Sequence, residues 1–257
     1  MEVHHPHQPT HKKKWTEYLL EFFMLFFAVF LGFLTENKRE QFSEHKKERY
    51  LIESLGKDLE NDTATLNHVI TNMDIHNTWV DSAVICLNSE QIAGKEKLIT
   101  NALENATIWV TYTAPDVAIN EIRNSGNFNL IRNESVKRGI LNYIKNLNRY
   151  IEYSTTMNDA RHSMDTSTVS ILTIRDLRTL TNMVYEANNN GRDFIDISDF
   201  VSPIHFKTYN LFEFKRLAEK LERLNYLETD MLGQYQRLYF YDVWLLKLLQ
   251  KEYHLKE

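Results

Sequence analysis

The sequence predicts an all-α protein in which one N-terminal transmembrane helix continues into a bundle of long helices. Glycine (7) and proline (4) are scarce in the 257 residues, whereas all-β folds need many such turn residues. A long apolar run lies near the N-terminus, and apolar residues recur at helical spacing through most of the remaining chain. Both features are typical of long helices joined by few breaks.

The apolar run extends from Tyr18 to Leu34 and contains one ionisable residue, Glu21. With its flanking residues it is long enough to cross a bilayer, which takes about 20 residues. Trp15 and Tyr18 occupy the positions of interfacial aromatic residues. A cleavable signal peptide is the alternative, but charged ENKRE follows where small residues would be needed for cleavage.

These features divide the chain into three predicted regions. Residues 1–14 form a disordered tail rich in basic residues and histidine, residues 15–35 form the transmembrane helix, and residues 36–257 form a helical soluble domain. Within that domain we expect an irregular segment near residues 186–208.

One face of the predicted transmembrane helix combines small residues with a carboxylate. Residues at four- and three-residue steps share a helix face, and here they are Glu21, Leu25, Ala28, Gly32 and Thr35. Ala28 and Gly32 would let two helices approach closely, and Glu21 is costly in lipid unless it has a partner. We therefore predict an intramembrane interface on this face, with a second copy of the chain or with a membrane partner protein. Alternatively, Glu21 extends towards the interface or is protonated.

The first helix should continue unbroken from the apolar run to about Asn88, because no proline intervenes and a helical apolar spacing persists. Its predicted buried residues are Leu55, Leu59, Leu66, Val69, Met73 and Val80. A second helix is expected from Lys95 to Tyr112, and a third over residues 116–124 with Pro115 as its first residue. Ser125, Gly126 and Asn127 then form a turn, in which Gly126 should adopt positive φ.

Asn133 should cap a fourth helix that extends as far as Leu180. Its predicted apolar stripe comprises Ile140, Tyr143, Ile144, Leu147 and Ile151. A last helix begins near Tyr209 and carries the seam Leu217, Leu221, Leu224, Met231, Tyr235, Leu238, Leu245 and Leu249, which Glu228 and Asp242 interrupt. We expect this seam to pack inside the bundle.

Composition and motifs argue against several functional classes. A net charge of -5 disfavours nucleic acid as the main partner. The single cysteine, Cys86, lies in apolar VICL and reads as a buried structural residue. The sequence has no Gly-rich phosphate loop, no nucleophile elbow and no His-Glu-x-x-His. We therefore expect no enzymatic activity, cofactor or small-molecule substrate.

One cluster could bind a metal or a proton. Asp159, His162 and Asp165 follow at three-residue steps on one helix face. The interpretation we favour is an exposed polar stripe that also includes a solvated Arg161, since no second group of ligands is recognisable. The histidines of the tail, in HHPHQPTH, are expected to be incidental.

Three stretches of the sequence resemble a known family. They are EYLLEFFMLFFAVFLGFLTENKRE, then YLIESLGKDLENDTATL, then INEIRNSGNFNLIRNESVKRGILNYI. The middle element contains Ser54, Leu55, Asp58, Leu59 and Asp62, and the last contains Ser125, Gly126, Asn127, Leu130, Ile131 and Asn133. Together they resemble an uncharacterised bacterial family of membrane-anchored helical proteins without an assigned activity. The resemblance covers about the first 150 residues.

This resemblance implies the bacterial inner membrane as the location. Lysine and arginine are more numerous after the span than before it, which favours a cytoplasmic domain, but large domains cross largely regardless of charge. We favour the periplasmic side. The leading functional hypothesis is a membrane-anchored interaction, scaffold or sensor protein, with the lipid bilayer and a homo-oligomer or membrane partner protein as its partners. The alternative is a subunit of a small oligomeric ion or proton pathway that uses the Glu21 face.

Overall fold

The computed structural model of the chain describes residues 14–108, 111–115, 117–124, 126–200 and 203–255. The predicted tail, apart from Lys14, lies outside the described residues. The α-helices of the described part are α1 (Trp15–Leu87), α2 (Glu96–Thr107), α3 (Val117–Asn124), α4 (Glu134–Thr168), α5 (Ile174–Asn189) and α6 (Leu211–Tyr253). Two short 3-10 turns cover Asn127–Leu130 and Ile197–Asp199. In these residues β structure is limited to one isolated antiparallel bridge, Leu172 with Phe206, so the all-α prediction is confirmed.

The chain forms two compact units, the first ending at Tyr50 and the second beginning at Leu51. In the first unit, every residue from Trp15 to Thr35 is exposed. Phe22, Phe26 and Phe30 stack along one side of α1, with ring centroids 6.3 and 5.9 Å apart. Among the described helices, α1 is the one long and apolar enough to cross a membrane, and none of its most apolar stretch is buried.

The second unit has one hydrophobic core, to which α1 contributes from Leu51 onwards. All six residues predicted to be buried on α1 are at most 4% exposed. The eight apolar residues of the predicted α6 seam are likewise buried, which confirms that this seam packs within the bundle. The main helix pair of the core is α4 with α6.

Two capping predictions are confirmed. Gly126 has a φ of 68°, a left-handed conformation that glycine adopts without steric cost. The Asn133 side chain accepts hydrogen bonds from the backbone N–H groups of Ser135 and Val136, at 2.9 and 3.1 Å. Asn133 therefore satisfies two amides at the start of α4 that have no partner within the helix.

The predicted extents of the second and third helices differ from the structure. Helix α2 ends at Thr107, five residues before Tyr112, and Ile108 has an extended backbone. The run TIWVTYT begins at Thr107 and is rich in β-branched residues. Because β-branched residues lose side-chain freedom in a helix, this run favours the end of α2 at Thr107. Pro115 precedes α3, which begins at Val117, and Asp116 lies outside the described residues.

The prediction of one helix from Asn133 to Leu180 is wrong. Helix α4 ends at Thr168, and α5 starts anew after Thr173, whose hydroxyl accepts a hydrogen bond from the Asp176 N–H. Helix α5 then continues to Asn189, so the irregular segment starts later than residue 186. Because threonine caps a helix better than it continues one, Thr173 explains the second start.

Two predictions of burial also require correction. Ile151 is 50% exposed, and Tyr150 takes the buried position beside Leu147 on α4. Cys86 is only half-buried, although burial raises the pKa of its thiol. Ile151 follows Leu147 by four residues, but Tyr150 lies closer to the centre of the buried face of α4.

Gly139 on α4 lies close to side chains of α6. A Cβ atom there would lie 2.9 Å from Leu245 Cδ1, 3.1 Å from Leu248 Cδ2 and 3.2 Å from Trp244 Cζ3. By contrast, a Cβ atom on Gly233, which lies inside α6, would have no neighbour within 4 Å among the described residues. The two helical glycines therefore differ in packing and share the same backbone preference.

We predict that Gly139→Ala lowers the free energy of unfolding relative to Gly233→Ala by about 1–3 kcal/mol. Each substitution gains about 1 kcal/mol of helix propensity, but only the methyl at residue 139 overpacks the core. Thermal unfolding of both purified variants in detergent micelles measures the difference. Equal stability of the two variants would contradict the close approach of α4 and α6 at Gly139.

Candidate functional site

The residues of the predicted intramembrane interface are all exposed on α1. The helix is continuous through residues 15–35, so Glu21, Leu25, Ala28, Gly32 and Thr35 share one face. The Thr35 hydroxyl donates a hydrogen bond to the Leu31 carbonyl at 2.8 Å. A Cβ atom on Gly32 would meet nothing within 4 Å among the described residues. The prediction that a second helix occupies this face stays a prediction, as does the ion or proton pathway.

The possible Asp159, His162 and Asp165 cluster stays unassigned. Asp159 and His162 are exposed on α4, and the side chain of Asp165 lies outside the described residues. No group of three or more metal-ligating side chains occurs in the described part of the chain. Arg161, predicted to be solvated, is 7% exposed and faces the core. The prediction for Arg161 is therefore wrong.

A buried carboxyl pair, Asp62 on α1 and Asp242 on α6, lies within the core of the second unit. The two residues are 1% and 0% exposed. Tyr112 donates a hydrogen bond to Asp62 Oδ1, and Tyr143 on α4 donates one to Oδ2 at 3.4 Å. The pair and its two tyrosines therefore join α1, the segment after α2, α4 and α6.

The carboxyl pair holds a proton at neutral pH. Burial, followed by the neighbouring Asp62 charge, raises the pKa of Asp242 to about 9. Burial also raises the pKa of Asp62, against the lowering effect of its hydrogen bond from Tyr112. As a carboxylate, Asp242 accepts no hydrogen bond from the described residues. As a neutral acid it can donate one to Asp62, which favours the protonated form.

Tyr112, one of the two tyrosines that donate to Asp62, forms an aromatic cluster with Tyr150 and Tyr235. The Tyr112 ring centroid lies 5.2 Å from that of Tyr150 and 6.1 Å from that of Tyr235, and the last two are 5.7 Å apart. Tyr150 donates its hydroxyl to the Tyr112 carbonyl oxygen. Burial, and then the Asp62 charge, raises the pKa of Tyr112, so its hydroxyl stays a donor throughout the physiological range.

A second buried polar group comprises His76 on α1, Arg161 on α4 and Glu228 on α6. His76 Nε2 lies 2.8 Å from Glu228 Oε2, and Arg161 Nη2 lies 3.5 Å from Glu228 Oε1. All three residues are at most 7% exposed. Glu228 therefore bridges two basic side chains and keeps its shorter contact with His76.

A cavity of about 390 Å³ lies between α4, α6 and the segment after α2, and we call it the tyrosine cavity. Tyr112, Tyr150 and Tyr235 line it together with Arg161. Its other described lining residues are Thr111, Thr113, Ala114, Leu147, Ile151, Ser154, Met157, Asn158 and Met231. Pockets of this size with apolar walls and a few polar groups are typical of small-ligand sites.

The described lining is suited to binding. Aromatic rings and methionines provide apolar contact, whereas Thr111, Ser154 and Asn158 provide hydroxyl and amide groups. Arg161 is the one charged side chain among the described residues of the wall. Tyr112 lines this wall and also donates a hydrogen bond to Asp62 of the carboxyl pair, so one residue contacts both features.

Sequence reasoning did not assign a role to any of these buried charges, although a signal was present. Asp62 follows Leu59 by three residues and precedes Leu66 by four, which is the spacing of a core residue. Glu228 and Asp242 on α6 each follow a leucine of the seam by four residues and precede the next apolar seam residue by three. Glu228 and Asp242, predicted as interruptions of the seam, and Asp62 are all at most 1% exposed, so each is a buried functional candidate.

Comparisons with protein-family models, with curated proteins and with solved structures returned no match. The resemblance to an uncharacterised membrane-anchored family therefore stays a prediction, and the geometry of the described residues carries the functional argument.

We predict that Asp242→Asn makes the protein more stable at alkaline pH and less sensitive to pH. The raised pKa of Asp242 means that the folded state binds more protons than the unfolded state between about pH 4 and pH 9. The contribution of Asp242 to the free energy of unfolding is therefore complete at acid pH and is lost as the pH rises through this range. An asparagine keeps a donor for Asp62 without titrating, and should gain about 1–3 kcal/mol near pH 9.

Thermal unfolding at a series of pH values tests this expectation. Asp230→Asn, which replaces an exposed aspartate on the same helix, is the matched control and should follow the native profile. Parallel profiles for Asp242→Asn and the native protein would show that Asp242 is not protonated in the folded state.

Proposed function

We propose that this protein is a membrane-anchored, non-enzymatic sensor whose helical domain receives a signal and whose anchor assembles with a second copy. The observation that carries the proposal is the combination of two features in one chain. One is an apolar helical segment with no buried residue in its most apolar stretch, and the other is a buried polar site beside a cavity.

The first feature supports attachment to a membrane. Large apolar side chains are exposed on every side of α1 between Trp15 and Leu34, and soluble proteins rarely expose so large an apolar surface. In a bilayer the same surface is favourable, and the α-helix satisfies its own backbone hydrogen bonds. We place the anchor in the bacterial inner membrane, with the helical domain on the periplasmic side.

The second feature supports a sensing role. Replacement of buried charges by apolar residues is often neutral or stabilising, so a role of these groups besides folding supports the proposal. Asp242 and Glu228 lie on α6, which lines the tyrosine cavity, and Asp62 on α1 accepts a hydrogen bond from Tyr112 in the cavity wall. A change in protonation or in cavity contents would therefore act on contacts between α1, α4 and α6.

The anchor supports assembly through its Glu21 face. In lipid, apolar burial gives no net drive for helix association, so close packing and polar contacts must supply it. Gly32 and Ala28 allow the close approach, and Glu21 on the same face supplies a polar group. Because Gly32 has open space beside it in the described chain, a larger residue there would act on a partner helix and not on the fold.

The first test concerns the anchor. Deletion of residues 1–36 should release the remaining chain as a soluble, mainly helical protein, because the deletion removes the exposed apolar segment. The measurement is the distribution of full-length and truncated chains between pellet and supernatant after an alkaline carbonate wash of membranes. A truncated chain that still sediments with membranes would reveal a second anchor.

The second test concerns assembly. Gly32→Leu should convert the oligomer to a monomer, because leucine holds the two helix backbones apart. Phe27→Leu, on a different face of the same helix, is the control and should leave the oligomer intact. Single-molecule subunit counting in native-lipid particles measures the stoichiometry. A monomeric native protein, or equal loss in both variants, would remove the basis for an interface at Gly32.

A further inference from the structure

The tyrosine cavity has a chemical character that points to one class of ligand. Its described lining includes the three aromatic residues Tyr112, Tyr150 and Tyr235 together with the methionines Met157 and Met231. These side chains offer dispersion contacts and flexible thioethers to an apolar body. Because the tyrosine hydroxyls of Tyr112 and Tyr150 donate to protein acceptors, the walls present mainly ring carbon to the cavity.

Among the described residues of the cavity wall, the one charged side chain is the basic Arg161. Arg161 is 7% exposed and lines the cavity, and its guanidinium contacts Glu228 at 3.5 Å. Charge-assisted hydrogen bonds between nitrogen and oxygen are usually about 2.7–2.9 Å long, so the contact between Arg161 and Glu228 is longer than usual. Glu228 is held more closely by His76, at 2.8 Å. The Arg161 guanidinium carries five N–H donors, and Nη2 is the nitrogen that contacts Glu228.

A guanidinium in a mostly apolar cavity favours a carboxylate, which it can contact with two parallel hydrogen bonds. A cationic ligand would meet the Arg161 charge at short range, which is unfavourable. Ser154 and Asn158 on α4 stand in the same wall and can donate further hydrogen bonds. The lining therefore combines an anion-binding end with an apolar body.

We propose that the tyrosine cavity binds a small carboxylic acid in its ionised form, with the carboxylate at Arg161 and an apolar body against the three tyrosine rings. This inference rests on the proposed sensing role and names the class of signal. A free aromatic acid and a medium-chain fatty acid from the membrane share this chemistry.

Titration of the full-length protein in detergent micelles with three probes tests the proposal. The probes are 3-phenylpropionate, its neutral amide 3-phenylpropionamide, and octanoate, with binding followed by isothermal titration calorimetry. The native protein should bind at least one acid with a Kd of about 1 mM or lower, and 3-phenylpropionate at least about tenfold more tightly than its amide. Tighter binding of 3-phenylpropionate indicates a free aromatic acid as the source, and tighter binding of octanoate a lipid-derived one.

Two matched variants locate the site. Ser154→Phe fills the cavity from its wall, whereas Thr155→Phe introduces the same ring at an exposed neighbour that does not line the cavity. Binding should be lost in Ser154→Phe and retained in Thr155→Phe. Arg161→Lys keeps the positive charge but loses the planar fork, and should weaken acid binding by about tenfold while leaving amide binding unchanged.

Several results would overturn the proposal. They are equal affinity for acid and amide, binding that survives Ser154→Phe, and no binding of either acid at concentrations of about 5 mM. Thermal unfolding of each variant confirms that it is folded before its affinity is interpreted. Because membrane attachment and subunit number are measured separately, these results would leave the anchor and its assembly standing.

Discussion

The buried contact between Asp62 and its three partners is the constraint on which the second unit depends. Asp62 accepts hydrogen bonds from Tyr112 and Tyr143 and faces the protonated Asp242. A buried carboxyl group is costly unless donors surround it, so these four side chains must come together whenever the domain folds. They belong to α1, the segment after α2, α4 and α6, and their contact therefore fixes these elements in one arrangement.

This constraint also explains the irregular course of the chain after α2. Tyr112 is 4% exposed although it lies outside any helix, and hydrogen bonds hold both its side chain and its backbone. Its hydroxyl is bound to Asp62, and its carbonyl oxygen accepts the hydroxyl of Tyr150. The segment 111–115 thereby supplies a donor to Asp62 and an acceptor to the hydroxyl of Tyr150, both of which are buried in the core.

The fold class could be predicted from the sequence because apolar residues at helical spacing, together with few glycines and prolines, indicate long helices. The extent of α1 and the α6 seam followed from this periodicity, and Asn133 and Gly126 followed from local capping rules. The break between α4 and α5 did not, because Thr173 acts as a cap only where the chain also turns. The buried charges were misjudged because periodicity locates a residue on a face, but the partner that neutralises it comes from another helix.

Tyr112 connects the carboxyl pair with the tyrosine cavity, because it donates a hydrogen bond to Asp62 and also lines the cavity. A ligand can shift a conformational equilibrium only through contacts that differ between the two states. A molecule against the ring of Tyr112 would make such a contact if it altered the donation of that hydroxyl to Asp62. Loss of the donor would favour protonation of Asp62 as well, because a buried carboxylate without donors is unfavourable. Occupation of the cavity and protonation of the pair would then be linked reciprocally, as two equilibria that share one hydrogen bond must be.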